Sequence, residues 1–231
     1  MSNKRIFNDD QLREMGRRSL DCVLEQIDAG NAEEAKRLAQ RMYNEFVAMH
    51  DLYRDWITGT LSSVGKRYGD VALEEVMSEG LDSWWTPMAE KINAVPDDFT
   101  RKVKMFVAGL RGHLQPMDIR EDDEKIEIRM MPCGSGGRQI AAGKYEGPNA
   151  FLKVATPQRM TYGRPDMPVY CTHEIAMERL DAIRDGHPFV ITEPAAELGR
   201  DYCVLKIYKD PKDIPAHYYE RLGLTKPAGE A

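Results

Sequence analysis

The sequence has no long hydrophobic run, few cysteines and no surplus of basic residues, and each shortage narrows what the chain can be. No apolar stretch reaches the roughly 20 residues that span a bilayer, so a membrane-crossing helix is not expected. The segment Met1–Asp10 lacks the apolar core of a secretory signal, which predicts a cytoplasmic protein. Basic residues number 32 against 38 acidic ones, for a net charge of -6. A nucleic-acid footprint needs clustered Lys and Arg, so DNA or RNA is not an expected partner. No nicotinamide, flavin or nucleotide fingerprint occurs, and the one glycine-rich turn lacks the Gly-Lys-Ser/Thr ending of a phosphate-binding loop. Only four cysteines occur in 231 residues: Cys22, Cys133, Cys171 and Cys203. A chain of this size builds a core without disulfides, so thiols gathered near a histidine read as metal ligands or nucleophiles.

What is present divides into a helical half and a mixed half. Asn8 caps a first helix whose apolar positions run Leu12, Met15, Leu20, Val23, Leu24 and Ile27, ending at Gly30. Cys22 belongs to its packing. A second helix is expected from Asn31 to a stop at Gly69, bent near Gly59 or Gly65. A third carries Leu73, Val76, Met77, Leu81, Trp84 and Met88, with Pro87 expected to kink or split it. Pro96 breaks the chain, and a fourth helix covers Phe99 to Leu110.

After Gly112 the period changes. Lys125–Met130 alternates polar and apolar residues as a half-buried strand does, with Met117–Arg120 as its hairpin partner across the acidic turn Glu121–Glu124. Residues Pro132–Pro168 show little regular pattern and hold six glycines and five prolines. An irregular segment that long is expected to be functional. A helix with the stripe Ile175, Met177, Leu180 and Ile183 follows, then strands at Pro188–Thr192 and Tyr202–Tyr208, a helix at Asp213–Leu222 and a tail from Thr225. The reading is an α+β fold: an N-terminal helical bundle (1–113) packed on a mixed domain with a small antiparallel sheet (114–223), and a loose end (224–231).

The chemistry gathers around the irregular segment. Cys133 opens Cys-Gly-Ser-Gly-Gly-Arg138. Glycines there permit positive φ and close approach of a ligand, so Gly134, Gly136, Gly137 and Arg138 are candidate anion-binding residues beside a reactive thiol. In Tyr170-Cys-Thr-His-Glu174, an extended backbone would turn Cys171 and His173 to one side. Cys133, Cys171 and His173 are then three ligands for zinc or iron, with a position left open for water or substrate. The same residues allow a metal-free arrangement, with Cys133 as nucleophile, His173 as base and Glu174 as orienting group. Sequence does not separate the two. Cys203, alternating with Leu205, is assigned to the core. His50 shares an apolar helix face with Phe46 and Tyr53 and is a further catalytic candidate. Arg138, Arg159 and Arg164 could clamp an anionic group. Trp84 and Trp85, with Tyr162 and Tyr170, could line a pocket for a flat ligand, but a Trp pair at helical spacing reads first as core, or as a homodimer contact.

From Phe99 to Tyr208 the order of elements around Cys133 and Cys171 resembles that of L-2-amino-thiazoline-4-carboxylate hydrolase-like proteins and 4-vinyl reductase-like small-molecule-binding domains. The first resemblance implies a cysteine-dependent hydrolase with Cys133 at its centre. The second implies a ligand-binding module, in some cases with a metal. The expectation is therefore an enzyme of hydrolase or lyase type acting on a small anionic organic molecule, with a non-catalytic binding or sensing module holding a structural metal as the alternative.

Overall fold

A computed structural model describes residues 6–94 and 98–228. The break expected at Pro96 and the last residues of the tail, 229–231, lie outside them. The chain is α+β and divides into two compact units, 1–53 and 54–231. The division falls at Tyr53, inside a helix, rather than at residue 113 where the change of period put it.

In the first unit, Asn8 caps α1 (Asp9–Met15) through a reciprocal pair with Gln11, as its side-chain chemistry leads one to expect. The expected single helix is broken, however. Gly16 closes α1, and α2 (Ser19–Asp28) begins anew. α2 buries Cys22 and Val23 against Leu38 of α3 (Ala32–Asn93). The only non-helical residue within α3 is Gly69, with φ 81° and ψ −177°. Gly69 is thus the interruption, and Gly59 and Gly65 remain helical. A Cβ on Gly65 would meet Leu152 Cδ2 at 2.4 Å, so that glycine serves close packing rather than bending. Pro87 sits inside α3 without ending it.

In the second unit, α4 (Phe99–Leu110) starts where Asp98 accepts the Arg101 N–H. β1 (Met117–Glu121) and β2 (Lys125–Met130) form the expected hairpin. The irregular segment is more regular than its composition suggests. It contains α5 (Gly136–Ala141) and the short pair β3 (Lys153–Val154) and β4 (Met167–Pro168). Then come α6 (His173–Asp185), β5 (Ile191–Glu193), β6 (Cys203–Tyr208) and α7 (Ala216–Arg221). The antiparallel sheet runs β1-β2-β6-β5. Alternation puts Ile128 and Met130 of β2 and Leu205 and Ile207 of β6 on one buried face, which α4 covers with Val103, Phe106, Val107 and Leu110. A second core joins Leu73, Met77 and Leu81 of α3 to Ile175 and Ala182 of α6.

The predicted stripe of α6 packs inward at Ile175, Met177 and Leu180 but not at Ile183, and the buried face also takes in two carboxylates. Ile183 is 55% exposed, while Glu178 and Asp181 are buried. Each carboxylate is satisfied: Asp181 accepts from Trp85 Nε1 at 2.7 Å and Arg184 Nη2 at 2.6 Å, and Glu178 from Arg221 Nη2 at 2.6 Å and the Thr192 N–H at 2.7 Å. No helix among the described residues is long and apolar enough to cross a membrane.

Candidate functional site

The glycine turn is built around its own chain. A Cβ on Gly134 would lie 1.6 Å from the His113 carbonyl oxygen, and one on Gly136 would lie 2.8 Å from Cys171 Sγ. None of Gly134, Gly136 and Gly137 has a positive φ. At Gly134 and Gly136 the missing side chain makes room for protein, while Gly136 and Gly137 also line the small pocket described below. Gly134 N–H donates to Gln115 Oε1 at 3.0 Å, and the Ser135 carbonyl accepts from buried Arg54. Behind the turn, Gln139 of α5 donates to Asp55 and Thr58 and accepts from the Tyr145 hydroxyl. The turn is thus pinned from several directions, and Cys133 with it.

Cys171 lies in a 3-10 turn, Val169–Thr172, not in an extended strand, and His173 opens α6. Alternation along a strand therefore does not bring the two together; the start of a helix does. Cys133, Cys171 and Cys203 line one small pocket of about 40 Å³ with His173, Glu174 and Ser135. Cys203, expected in the core, contributes a sulfur that accepts the Ala195 N–H at 3.4 Å. Cys22 and His50 belong to the first unit, where His50 Nδ1 is 3.0 Å from Asp51. His50 lines neither this pocket nor the groove described below. None of Arg138, Arg159 and Arg164 lines either space. Arg159 pairs with Glu74, and Arg164 donates to the carbonyls of Ala195 and Ala196.

His173 and Glu174 form an ion pair at 3.2 Å, and His173 Nδ1 lies 2.5 Å from the Tyr170 carbonyl. Burial works against the imidazolium, but the Glu174 carboxylate and the Tyr170 carbonyl outweigh it and raise the His173 pKa. Burial likewise works against the Glu174 carboxylate, and His173 outweighs it, so the Glu174 pKa falls. Burial pushes the Cys171 thiol well up and the Cys203 thiol up to about 11, so both stay protonated near neutrality. Among the described residues, no group of three or more His, Cys, Asp or Glu is placed to hold a metal ion. Cys133, Cys171 and His173 share a pocket, but both ring nitrogens of His173 already face other acceptors.

One site residue, His113, reads in the sequence only as an element end, and another, Tyr162, as a candidate pocket aromatic. His113, placed beside a glycine at an element end, has Nδ1 at 2.6 Å from Ser135 Oγ. Tyr162 also lines the pocket, and among the described residues its buried hydroxyl has no hydrogen-bond partner.

The pocket adjoins a much larger apolar groove of about 650 Å³, and His113, Tyr170, His173 and Glu174 line both. The groove runs between faces of three helices. α3 supplies residues from Val76 to Asn93, α4 from Lys102 to Gly109 and Leu110, and α6 from His173 to Asp185. In each, the lining positions recur at three and four residues, which is one helix face. Trp85 is buried in its floor, and Trp84 is 50% exposed at its side. No protein-family model, curated protein or solved structure matches the chain.

The charged pair makes a pH prediction. The raised His173 pKa contributes stability that is present below the unfolded imidazole value and lost as pH rises through the folded one. The lowered Glu174 pKa contributes stability that is present above the unfolded carboxyl value and lost as pH falls through the folded one. Between those limits both groups are charged. Glu174→Gln should cost about 1–2 kcal/mol near pH 6, and should move the His173 titration downward because only the Tyr170 carbonyl then opposes burial. Ring-proton NMR across pH checks this, and an unmoved His173 midpoint refutes the pairing.

Proposed function

We propose that the second unit is an enzyme of hydrolase or lyase type that acts on a small organic molecule, with Cys133 as its nucleophile. One observation carries the reading. Three cysteines from three separate segments line one pocket with a histidine–glutamate ion pair, and that pocket opens beside a groove of ligand size. Burial holds Cys171 and Cys203 as thiols, which leaves Cys133 to attack. His173, favoured as imidazolium by Glu174, suits proton donation to a leaving group rather than the base role its sequence context suggested. The resemblance to cysteine-dependent ring-opening hydrolases points to the same residue.

The test is the rate at which Cys133 alkylates with iodoacetamide, read by mass spectrometry beside the metal content of protein purified without chelator. The expected result is modification about tenfold faster than free glutathione at pH 7, abolished in Cys133→Ser. Ordinary thiol rates without bound metal overturn the enzyme reading and favour a binding module. One equivalent of zinc or iron, lost in both Cys133→Ser and His173→Ala, replaces the nucleophile with a metal ligand.

A further inference from the structure

The groove has a direction. Thr172 Oγ1 touches Met77 Sδ at 3.3 Å, Trp85 Nε1 bonds Asp181, and Asn93 Nδ2 reaches Asp185 at 3.5 Å, so α3 and α6 run side by side in the same sense. His113, just past the end of α4, reaches Ser135 at the small pocket, so α4 runs the opposite way. From His173 to Asp185 is twelve residues, ~18 Å of helix. One end is the histidine–thiol pocket. The other is closed by Asp181, Arg184 and Asp185, where Arg184 Nη2 pairs with both carboxylates and Nη1 has no partner among the described residues. Between them the walls are aromatic and sulfur-bearing.

Two neighbouring polar atoms are buried without partners among the described residues, Tyr162 Oη and Arg221 Nε, and of these only Tyr162 lines the pocket. Burial raises the Tyr162 pKa, so it stays a phenol and has a proton to donate. Its backbone sits at φ 55°, ψ 29°, a left-handed conformation that a tyrosine seldom takes. Arg221 stacks on the ring at 5.2 Å, holding it in place. Buried donors without acceptors are rare and costly in a folded protein, and one that lines a pocket needs an acceptor delivered to it. The charge nearby is balanced: His173 is paired with Glu174, and Arg221 with Glu178. A carboxylate would find no unpaired cation there, whereas a neutral carbonyl oxygen would satisfy the phenol.

We infer that the groove binds an elongated apolar molecule ending in an uncharged carbonyl, an alkyl or aryl-alkyl amide, ester or ketone, whose oxygen accepts from Tyr162 Oη in the thiol-lined pocket. The inference deepens the proposed function by naming its substrate class. It rests on the groove and pocket as a ligand site, but not on Cys133 as nucleophile.

The experiment is calorimetric titration of the full chain with hexanamide, octanamide and decanamide, and with the corresponding carboxylates, alcohols and amines. The expected result is saturable binding that tightens about fourfold per added methylene, with each amide tighter than its carboxylate, alcohol or amine. Tyr162→Phe should weaken amide binding about tenfold while the melting temperature holds or rises, because the orphan hydroxyl is removed. Gly109→Leu, which puts a side chain into open space on the groove wall, should block binding in a folded protein. The titration on the unmodified chain needs no reaction, so failed amide binding and failed Cys133 alkylation are separate results. Carboxylates binding tighter than amides, no dependence on chain length, or Tyr162→Phe binding like the parent would each overturn the inference, the last by leaving water as the phenol's partner.

Discussion

Gly134→Ala is expected to lower the unfolding free energy by about 3 kcal/mol or more, although it adds a single methyl group. The new Cβ would stand 1.6 Å from the carbonyl oxygen of His113 and 2.7 Å from Gln115 Oε1. The first obstacle is backbone and cannot rotate aside. Relief requires moving either the 132–135 turn or the 3-10 turn Arg111–His113, and each is tied down: Gly134 N–H to Gln115, Ser135 to His113 and Arg54. Moving either also separates the Ser135 hydroxyl from His113, so the site should loosen with the fold. Gly109→Ala is the contrasting substitution. Gly109 lies within α4 with nothing within 4 Å of its would-be Cβ, and alanine there should stabilise by up to about 1 kcal/mol. Urea unfolding of both variants measures the difference. A Gly134→Ala protein as stable as its parent would mean that the close approach of the turn to His113 is wrong.

Much of the frame was legible because it depends on local chemistry. α4 has a capping aspartate and an apolar period that matches one partner surface, and its bounds fall where they were expected, at Phe99 and Leu110. The hairpin follows from alternation on both sides of an acidic turn, in which Asp122 accepts the N–H groups of Glu124 and Lys125. What was not legible depends on partners distant in sequence. The stripe Ile175, Met177, Leu180, Ile183 is right in its first three members, but Ile183 is exposed and Glu178 and Asp181 are buried instead, tolerated inside by Arg221, Thr192, Trp85 and Arg184. Pro87 was expected to kink or split its helix, and it does not split it: Pro87 lies inside α3, between buried Trp85 and Ala89. In the site, the type of residue was readable and its duty was not. Cys133, Cys171, His173 and Glu174 do share a pocket, and the glycines beside Cys133 let His113 and Cys171 approach closely, which the sequence did not show. His113 acquires meaning only from what the fold puts opposite it, and Tyr162, legible as a pocket aromatic, gains its orphan hydroxyl and left-handed backbone only in the fold.

Arg221→Met should produce the other large effect, and one with a diagnostic pH dependence. Glu178 has only 2% of its side chain exposed, and burial pushes its pKa up to about 7 even though Arg221 and the Thr192 N–H donate to it. A carboxyl raised in the folded state binds its proton more tightly there than in the unfolded chain. Its contribution to stability is therefore greatest below the unfolded value and is lost as pH rises toward 7. Above that, the folded protein carries a buried carboxylate, and Arg221 is what makes this tolerable. Removing the guanidinium leaves the charge unpaired and should cost about 3–5 kcal/mol at pH 8. At pH 5 Glu178 is a neutral acid and loses a hydrogen bond rather than a countercharge, so the cost should shrink to about 1–2 kcal/mol. Adding Glu178→Gln to Arg221→Met should recover most of the loss at pH 8 and little at pH 5, since it removes the charge and keeps an acceptor for Thr192. Arg221 also donates to the Thr192 carbonyl and stacks on Tyr162 and Tyr218, so a residual cost independent of pH is expected in both variants. Equal destabilisation of Arg221→Met at pH 5 and pH 8 would show that stacking, not the buried charge, is what Arg221 contributes.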